Sequence, residues 1–292
     1  MINRLRPECI SCLLKSNLEK YPEDAEPNIK LEYMQRVLKV MAEAAPDASA
    51  PVLVKKINDI RREMFGYAED FTEIKRYYNQ LMLEKEAGLE QSIQMSEEPL
   101  LCAIQYAMTG NYIDFGTGNS VSEEELNGLL ETAVSNPVNP SEYQSLKKDL
   151  ADAENIVYIT DNCGEIVLDK LLIKEIQRQF PKARIIAMVR GGAVLNDATT
   201  EDAEQVGLTG LVRVIDNGNA IAGTCPEELS AVARVALDGA DVILAKGQAN
   251  YETLRKCGRN IYYIFMCKCE MFARGFQVPK FTGILVNDKN CV

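Results

Sequence analysis

From the N-terminus to about residue 152, apolar and charged positions recur every three to four residues, the period of an amphipathic helix, and Pro, Gly or Asn clusters divide the pattern into segments. The spacing predicts helices over 8–20, 28–44, 50–64, 71–92, 97–109, 122–134 and 141–152. Ser122 followed by Glu125 has the form of a capping box, in which hydroxyl and carboxylate each satisfy a free backbone N–H. Asn139-Pro140-Ser141 opens the next segment in the same manner. At Asn155 the period changes. The short β-branched run IVYIT ends in DNCGE and leads into the amphipathic IVLDKLLIKEIQRQF, a strand, a loop and a helix. The unit recurs as ARIIAMV with RGGAVLND, LVRVID with NGNAIAGTCPEELSAVARVAL, ADVILA with KGQANYETLRKC, and NIYYIFM with CKCEMFARG. Nearly all-apolar strands alternating with helices predict an α/β fold whose parallel sheet is covered on both faces.

Composition narrows what such a fold can do. With 292 residues and 47% hydrophobic content, the chain can bury the core of one large domain or two smaller ones. A net charge of -11 argues against a general grip on nucleic acid or on an anionic bilayer, both of which need a dense basic face. No apolar run reaches the roughly 18–20 residues of a membrane helix, and MINRLRPECISC lacks a signal-peptide apolar region, so the expected compartment is the cytoplasm. Nine cysteines, an odd number in a long chain, read as reduced thiols and not as a disulfide framework. The absence of histidine removes Ser-His-Asp and Cys-His nucleophiles and histidine metal sites. Oxygen donors remain, and they suit hard ions such as Mg²⁺ or Mn²⁺, with Ni²⁺ and Co²⁺ as further divalent candidates.

In an open α/β sheet, ligands bind beyond the C-terminal ends of the strands, which directs attention to the polar residues there. Thr160, Asp161, Asn162, Gly164 and Glu165 follow the first strand; Arg190, Gly191, Gly192, Asn196 and Asp197 follow the second; Lys246, Gly247, Gln248 and Asn250 follow the fourth. Together they offer hard oxygen donors, two cations and glycines that admit close backbone approach, which is the equipment of phosphoryl chemistry. A plainer reading stands beside it. Asp161-Asn162 also has the form of an N-cap for a helix starting at Glu165, Asp197 of a cap for one starting near Thr200, and KGQAN of an ordinary surface turn without a complete Walker pattern.

The runs YITDNCGEIVLDKLLI, VRGGAVLNDATTEDAEQVGL and ILAKGQANYETL, with PECISC near the N-terminus and GNYIDFG in the middle, resemble the domain-of-unknown-function-89 family of metal-dependent damage-control phosphatases over nearly the whole chain. The CxxC places the likeness with the branch that carries this motif. The resemblance implies a Rossmann-like α/β/α core over 153–292 preceded by a helical N-terminal domain over 1–152. It further implies removal of phosphate from sugar phosphates or damaged phosphometabolites. By residue, it implies metal ligands at Asp161, Asn162 and Asp197 and a lysine against the substrate phosphate at Lys246. Glu165, Arg190, Asn196, Gly247 and Asn250 fall inside the matching motifs as substrate-binding candidates. Cys163 departs from the small residue expected there. The mechanism expected is hydrolysis by metal-activated water, with Asp161 and Lys246 as catalytic groups; an aspartyl-phosphate on Asp161 is the competing chemistry. A non-catalytic nucleotide- or metabolite-binding module with a structural metal is the alternative function.

Two features remain. Cys9 and Cys12 lie one helical turn apart, and with Cys267 or Cys269 they would make a second, structural metal site; reduced thiols without metal are the plainer expectation. The stretch from Gly110 through Asn111 and Asp114 to Gly116 is expected to fold over the active site and read the leaving group, against the plainer reading of a helix C-cap at Gly110.

Overall fold

The computed structural model describes residues 5–18, 20–45, 47–66, 70–113 and 122–291. It divides into two compact units, Met1–Asp70 and Phe71–Val292.

The first unit contains three helices, α1 (Pro7–Asn17), α2 (Pro27–Ala42) and α3 (Ala50–Phe65). Tyr33, Val37 and Met41 recur every fourth residue on α2 and pack with Leu13, Leu53 and Ile57, so each amphipathic stripe finds its core inside the unit. The Tyr33 hydroxyl donates to Asn17 Oδ1 at 2.8 Å, which keeps a buried phenol paired.

The second unit begins with α4 (Thr72–Met95), α5 (Pro99–Gly110), α6 (Glu123–Thr132) and α7 (Pro140–Asp152). Both helix starts expected from sequence are present: Ser122 and Glu125 form the reciprocal capping box, and Asn139 Oδ1 accepts from the Ser141 and Glu142 amides. The α/β part follows as β1 (Asn155–Ile159), α8 (Glu165–Gln179), β2 (Arg184–Val189), α9 (Thr200–Gln205), β3 (Arg213–Asp216), α10 (Ala231–Asp238), β4 (Val242–Lys246), α11 (Gln248–Leu254), β5 (Ile261–Met266), α12 (Glu270–Phe276) and β6 (Gly283–Asn287). The strand order is β3-β2-β1-β4-β5-β6, parallel except for the antiparallel β6. Successive side chains of β1 enter opposite cores: Ile156 and Tyr158 join one buried cluster, Val157 and Ile159 the other. That two-sided burial is why the strands carry no alternating polar positions.

The expected division at 152/153 falls inside the second unit. Residues of α4 to α7 bury their apolar stripes in the same cluster as β1 and α8. At the closest approach, a Cβ on Gly110 would stand 2.6 Å from Leu168 of α8. Gly110 is therefore a packing glycine within α5; the helix is capped by Asn111 in ordinary right-handed conformation. The strand β6 is an addition to the five expected.

After β1 the chain moves outward to β2 and β3, then returns to β4 on the other side of β1. The strands leaving β1 and β4 thus diverge at a topological switch point, where an open sheet leaves a crevice at its C-terminal edge.

Candidate active site

At that edge the structure brings Asp161, Asn162, Asp197, Arg190, Glu165 and Asn111 into one buried cluster. Arg190 ends the β2 segment and lies between two carboxylates: Nε donates to Asp197 Oδ2 at 2.6 Å and Nη2 to Asp161 Oδ1 at 3.3 Å. A further, longer bond runs from Nη1 to Thr224 Oγ1 at 3.4 Å. An antiparallel bridge joins Asn162 to Asp197, fixing the two loops to each other. Leu195 holds a left-handed φ of 46° just before Asn196 and Asp197, a conformation that costs a branched residue about 1 kcal/mol or more and aims the end of this loop at β1.

The capping alternatives are resolved by geometry. The N-cap of α8 is Gly164, at φ 69°, and neither Asp161 nor Asn162 caps the helix. The helix α9 is capped by Thr199 with Asp202, not by Asp197. The carboxylates of Asp161 and Asp197 are free of those duties and turn to each other's surroundings.

Asn111 arrives from the end of α5. Its Nδ2 donates to Asp161 Oδ2 at 2.9 Å and to both oxygens of Glu165 at 3.2 and 3.0 Å, while Oδ1 accepts from the Met266 amide at 3.0 Å. Asn162 Nδ2 donates to Asp161 Oδ2 and Glu165 Oε2, both at 2.9 Å. Gly247, at φ 80°, passes so close that a Cβ there would overlap the Asp161 carboxylate, which explains a glycine directly after β4.

Lys246, Glu165, Asn250 and Asn196 are buried at the same edge. Lys246 is fully buried, and its three N–H donors go to Ala107 O at 2.8 Å, Glu165 Oε1 at 2.6 Å and Asp169 Oδ1 at 2.8 Å. Contact with a substrate phosphate would have to replace one of these bonds; here the ammonium is the counter-charge beneath the site. Glu165, expected to bind substrate, is also fully buried, with its oxygens taken by Lys246, Asn111 and Asn162. Asn250 is a brace: its Nδ2 donates to Thr160 O and Lys246 O at 3.1 and 2.6 Å, tying the ends of β1 and β4. Asn196 is buried, with its backbone oxygen accepting from the Cys163 amide at 2.8 Å and Nδ2 donating to Ile113 O at 3.5 Å. Asp114 lies outside the described residues. Burial pushes the Cys163 thiol up.

Electrostatics follow from the crowding. Burial, then Asp197 and Glu165, push the Asp161 carboxyl well above its ordinary range, against the pull of Arg190 and Lys268. Burial raises Asp169 to about 7 despite Lys246. Burial works against the charge on Lys246, but Asp169 and Glu165 outweigh it and its pKa rises. The ion-paired cluster holds four carboxylates (Asp161, Glu165, Asp169, Asp197) and two cations (Arg190, Lys246), an excess of two negative charges when all are ionised. A divalent cation would cancel that excess, and the Asp161, Asn162 and Asp197 oxygens are the hard donors it prefers. Among the described residues no set of three or more Cys, Asp or Glu side chains forms a metal cage; the triad here is two carboxylates and an amide. Cys9 and Cys12 lie in the first unit and Cys267 and Cys269 in the second, all four without disulfides.

Sequence reasoning passed over Asn79, Asp169 and Asp202. Asn79 Oδ1 accepts from the Gly164 amide at 2.7 Å, and Nδ2 donates to Asp202 Oδ1 at 2.9 Å, so α4 anchors the turn that carries the Asp161 loop into α8. Asp169 pairs with Lys246 and accepts from the Tyr158 hydroxyl at 2.8 Å. All three sit inside amphipathic helices, where nothing in the spacing distinguishes a buried polar side chain from an exposed one.

Fold and site together define a Rossmann-type α/β protein with an acidic, arginine-bridged cluster at its switch point. Residues 5–283 match the damage-control phosphatase ARMT1-like domain, and the chain belongs to this family of phosphatases. It is 31% identical to a damage-control phosphatase of Archaeoglobus fulgidus, over 94% of this chain and 96% of that one. It is 30% identical to a damage-control phosphatase of Pyrococcus horikoshii, over 98% of both chains. The crystal structure of a domain-of-unknown-function-89 family protein from Pyrococcus horikoshii superposes with a TM-score of 0.78 at 28% identity, covering 97% of this chain and 99% of that one. No helix among the described residues is long and apolar enough to cross a membrane.

Proposed function

We propose that this phosphatase is a metal-dependent phosphoric monoester hydrolase of small phosphorylated metabolites, either sugar phosphates or damaged phosphometabolites, acting in the cytoplasm. The observation that supports it most is the meeting of Asp161, Asn162 and Asp197 around Arg190 at the switch point, with an uncancelled negative charge. Asp161, Asn162 and Asp197 would hold a Mg²⁺ or Mn²⁺ ion, which would supply Lewis-acid charge and a route to activated water.

The remaining tasks fall to the chain itself. Arg190 is held in place by two carboxylates, so its guanidinium needs little reorganisation to offset charge on a phosphoryl group. Asp161 is held at the catalytic position by Arg190 on one oxygen and by Asn111 and Asn162 on the other. Lys246 acts from beneath, holding the Glu165 carboxylate that braces Asn111 and Asn162. Burial of the cluster lowers the local dielectric and strengthens each of these interactions.

The test is phosphate release from p-nitrophenyl phosphate and a sugar-phosphate panel, with and without chelator. Release that requires Mg²⁺ or Mn²⁺ and disappears in Asp161→Ala and Asp197→Ala is expected. Robust turnover in chelator, or in either variant, would overturn the proposal; tight metabolite binding without turnover would point to a binding module. A phospho-enzyme trapped on Asp161 would replace water with aspartate as the nucleophile.

A further inference from the structure

We infer that Glu165 is a positioning residue that sets which face of the Asn162 amide meets the metal, with Lys246 and Asp169 holding Glu165 in turn. The inference rests on the metal-site reading above and deepens it.

An amide ligand binds a cation only through its oxygen, so an asparagine in a metal site must have its NH₂ group directed elsewhere. Here the NH₂ of Asn162 faces two carboxylates, Asp161 Oδ2 and Glu165 Oε2, each at 2.9 Å. The reversed amide would set oxygen against two carboxylate oxygens that already accept from Asn111, so the orientation is fixed by its partners. Oδ1 is turned away from both carboxylates and left as the donor atom. Glu165 also accepts from the Asn162 backbone amide at 3.3 Å, holding main chain and side chain of one residue in register. The Asn111 NH₂ is held by the same two carboxylates, with its oxygen already committed to the Met266 amide.

Glu165 can do this because its own partners hold it in place. It lies at the first turn of α8, is fully buried, and faces Lys246, whose other two donors are spent on Ala107 O and Asp169 Oδ1. Rotation of Glu165 would leave a buried ammonium short of a partner, a loss that buried ion pairs do not tolerate. The arrangement has the form common around metal ligands, in which the partner behind the ligand fixes its orientation. Glu165 touches no open surface, so its influence on substrate passes through Asn162 and Asn111.

Glu165→Gln is nearly isosteric and keeps the packing, but its carboxamide presents one NH₂ to a set of neighbours that are all donors. The Asn162 amide then loses one of its two carboxylate anchors. Titration of the whole protein with Mn²⁺ by calorimetry should show affinity weakened about 10- to 100-fold in Glu165→Gln, with a smaller loss in Glu165→Asp, which keeps the charge. Side-chain NH₂ signals of Asn162 and Asn111 in NMR should exchange slowly with solvent in the metal-free wild type and faster in both variants. A folded Glu165→Gln with wild-type Mn²⁺ affinity and slow Asn162 exchange overturns the inference, as does fast Asn162 exchange in the wild type. If Glu165→Gln does not fold, Glu165→Asp and the wild-type exchange rates decide. A wild type that binds no Mn²⁺, or an Asp161→Ala variant that binds it unchanged, sinks the metal-site reading instead, and the exchange measurement still judges Glu165.

Discussion

Two strands of this sheet end in the same dipeptide, and the two copies have opposite fates. Asp161-Asn162 follows β1 and Asp216-Asn217 closes β3, each leading into a glycine-containing turn. At β1 the aspartate is buried against Arg190 and the asparagine amide is bound by two carboxylates. At β3 the aspartate is exposed and accepts only the Gly218 amide, at 2.9 Å. Its asparagine is buried as a knot of the loop: Oδ1 accepts from the Gly191 and Asn219 amides at 2.9 and 3.1 Å, and Nδ2 donates to Gly223 O at 3.3 Å. The difference lies in position within the sheet. β1 is flanked by strands on both sides and stands at the switch point, whereas β3 is an edge strand beside β2 alone. A strand-end Asp-Asn is thus a chemical group where the topology opens a crevice and a turn brace where it does not.

The sharpest way to break this comparison is to remove each aspartate. Asp161→Ala should lower phosphate release about a thousandfold or more, in the range seen when a group that stabilises transition-state charge is deleted. Asp216→Ala should leave the rate within about twofold and stability within about 0.5 kcal/mol, as for exposed substitutions generally. Steady-state kinetics with thermal melts of both variants read the contrast; equal losses would mean that sheet position does not separate them.

The sequence made the β1 copy legible because apolar strands are short and clear, and the residue after each is placed at one edge by the fold alone. It made all the helices from α1 to α7 legible through their period. β6 was harder: GILVN follows a helix, pairs antiparallel, and closes the sheet without a helix behind it, so no strand–helix repeat announces it. The burial of Lys246 was hidden because its partners Ala107, Glu165 and Asp169 come from three different turns of two helices, and only packing brings them together. Local sequence alone does not separate the Asp216-Asn217 copy from its twin; the strand order does.

Removing the asparagines should produce a crossed result. Asn217→Ala takes the side-chain acceptor from the Asn219 and Gly191 amides, leaving Gly191 only its bond to Asn219 O, and should cost about 1–3 kcal/mol of stability. Its effect on metal affinity should be small. Asn162→Ala removes the proposed ligand and should weaken Mn²⁺ binding at least tenfold, and it also takes an NH₂ donor from between Asp161 and Glu165. Denaturant melts paired with Mn²⁺ titration measure both axes. If the two variants lose stability and affinity in the same proportion, the functional asymmetry drawn between the copies is wrong.

The smallest expected effect concerns the charge layer beneath the β1 copy, which has no counterpart at β3. Asp169 is raised by burial from an ordinary value of 3.8 to about 7, against the opposing pull of Lys246. The folded protein therefore binds this proton more tightly than the unfolded chain does. Between about pH 4 and 7 the folded state holds more protons, and stability falls as pH rises. The contribution is fully present below the unfolded value and lost above the folded one, the reverse of a salt-bridged carboxylate with a depressed pKa. Asp161, raised in the same direction, adds to the slope. Asp169→Asn should therefore flatten the fall of melting temperature across that window without abolishing it, while Asp216→Asn serves as the reference substitution outside the cluster. A slope unchanged by Asp169→Asn would mean that Lys246 keeps Asp169 ionised throughout, and that the proton-holding layer beneath the site is absent.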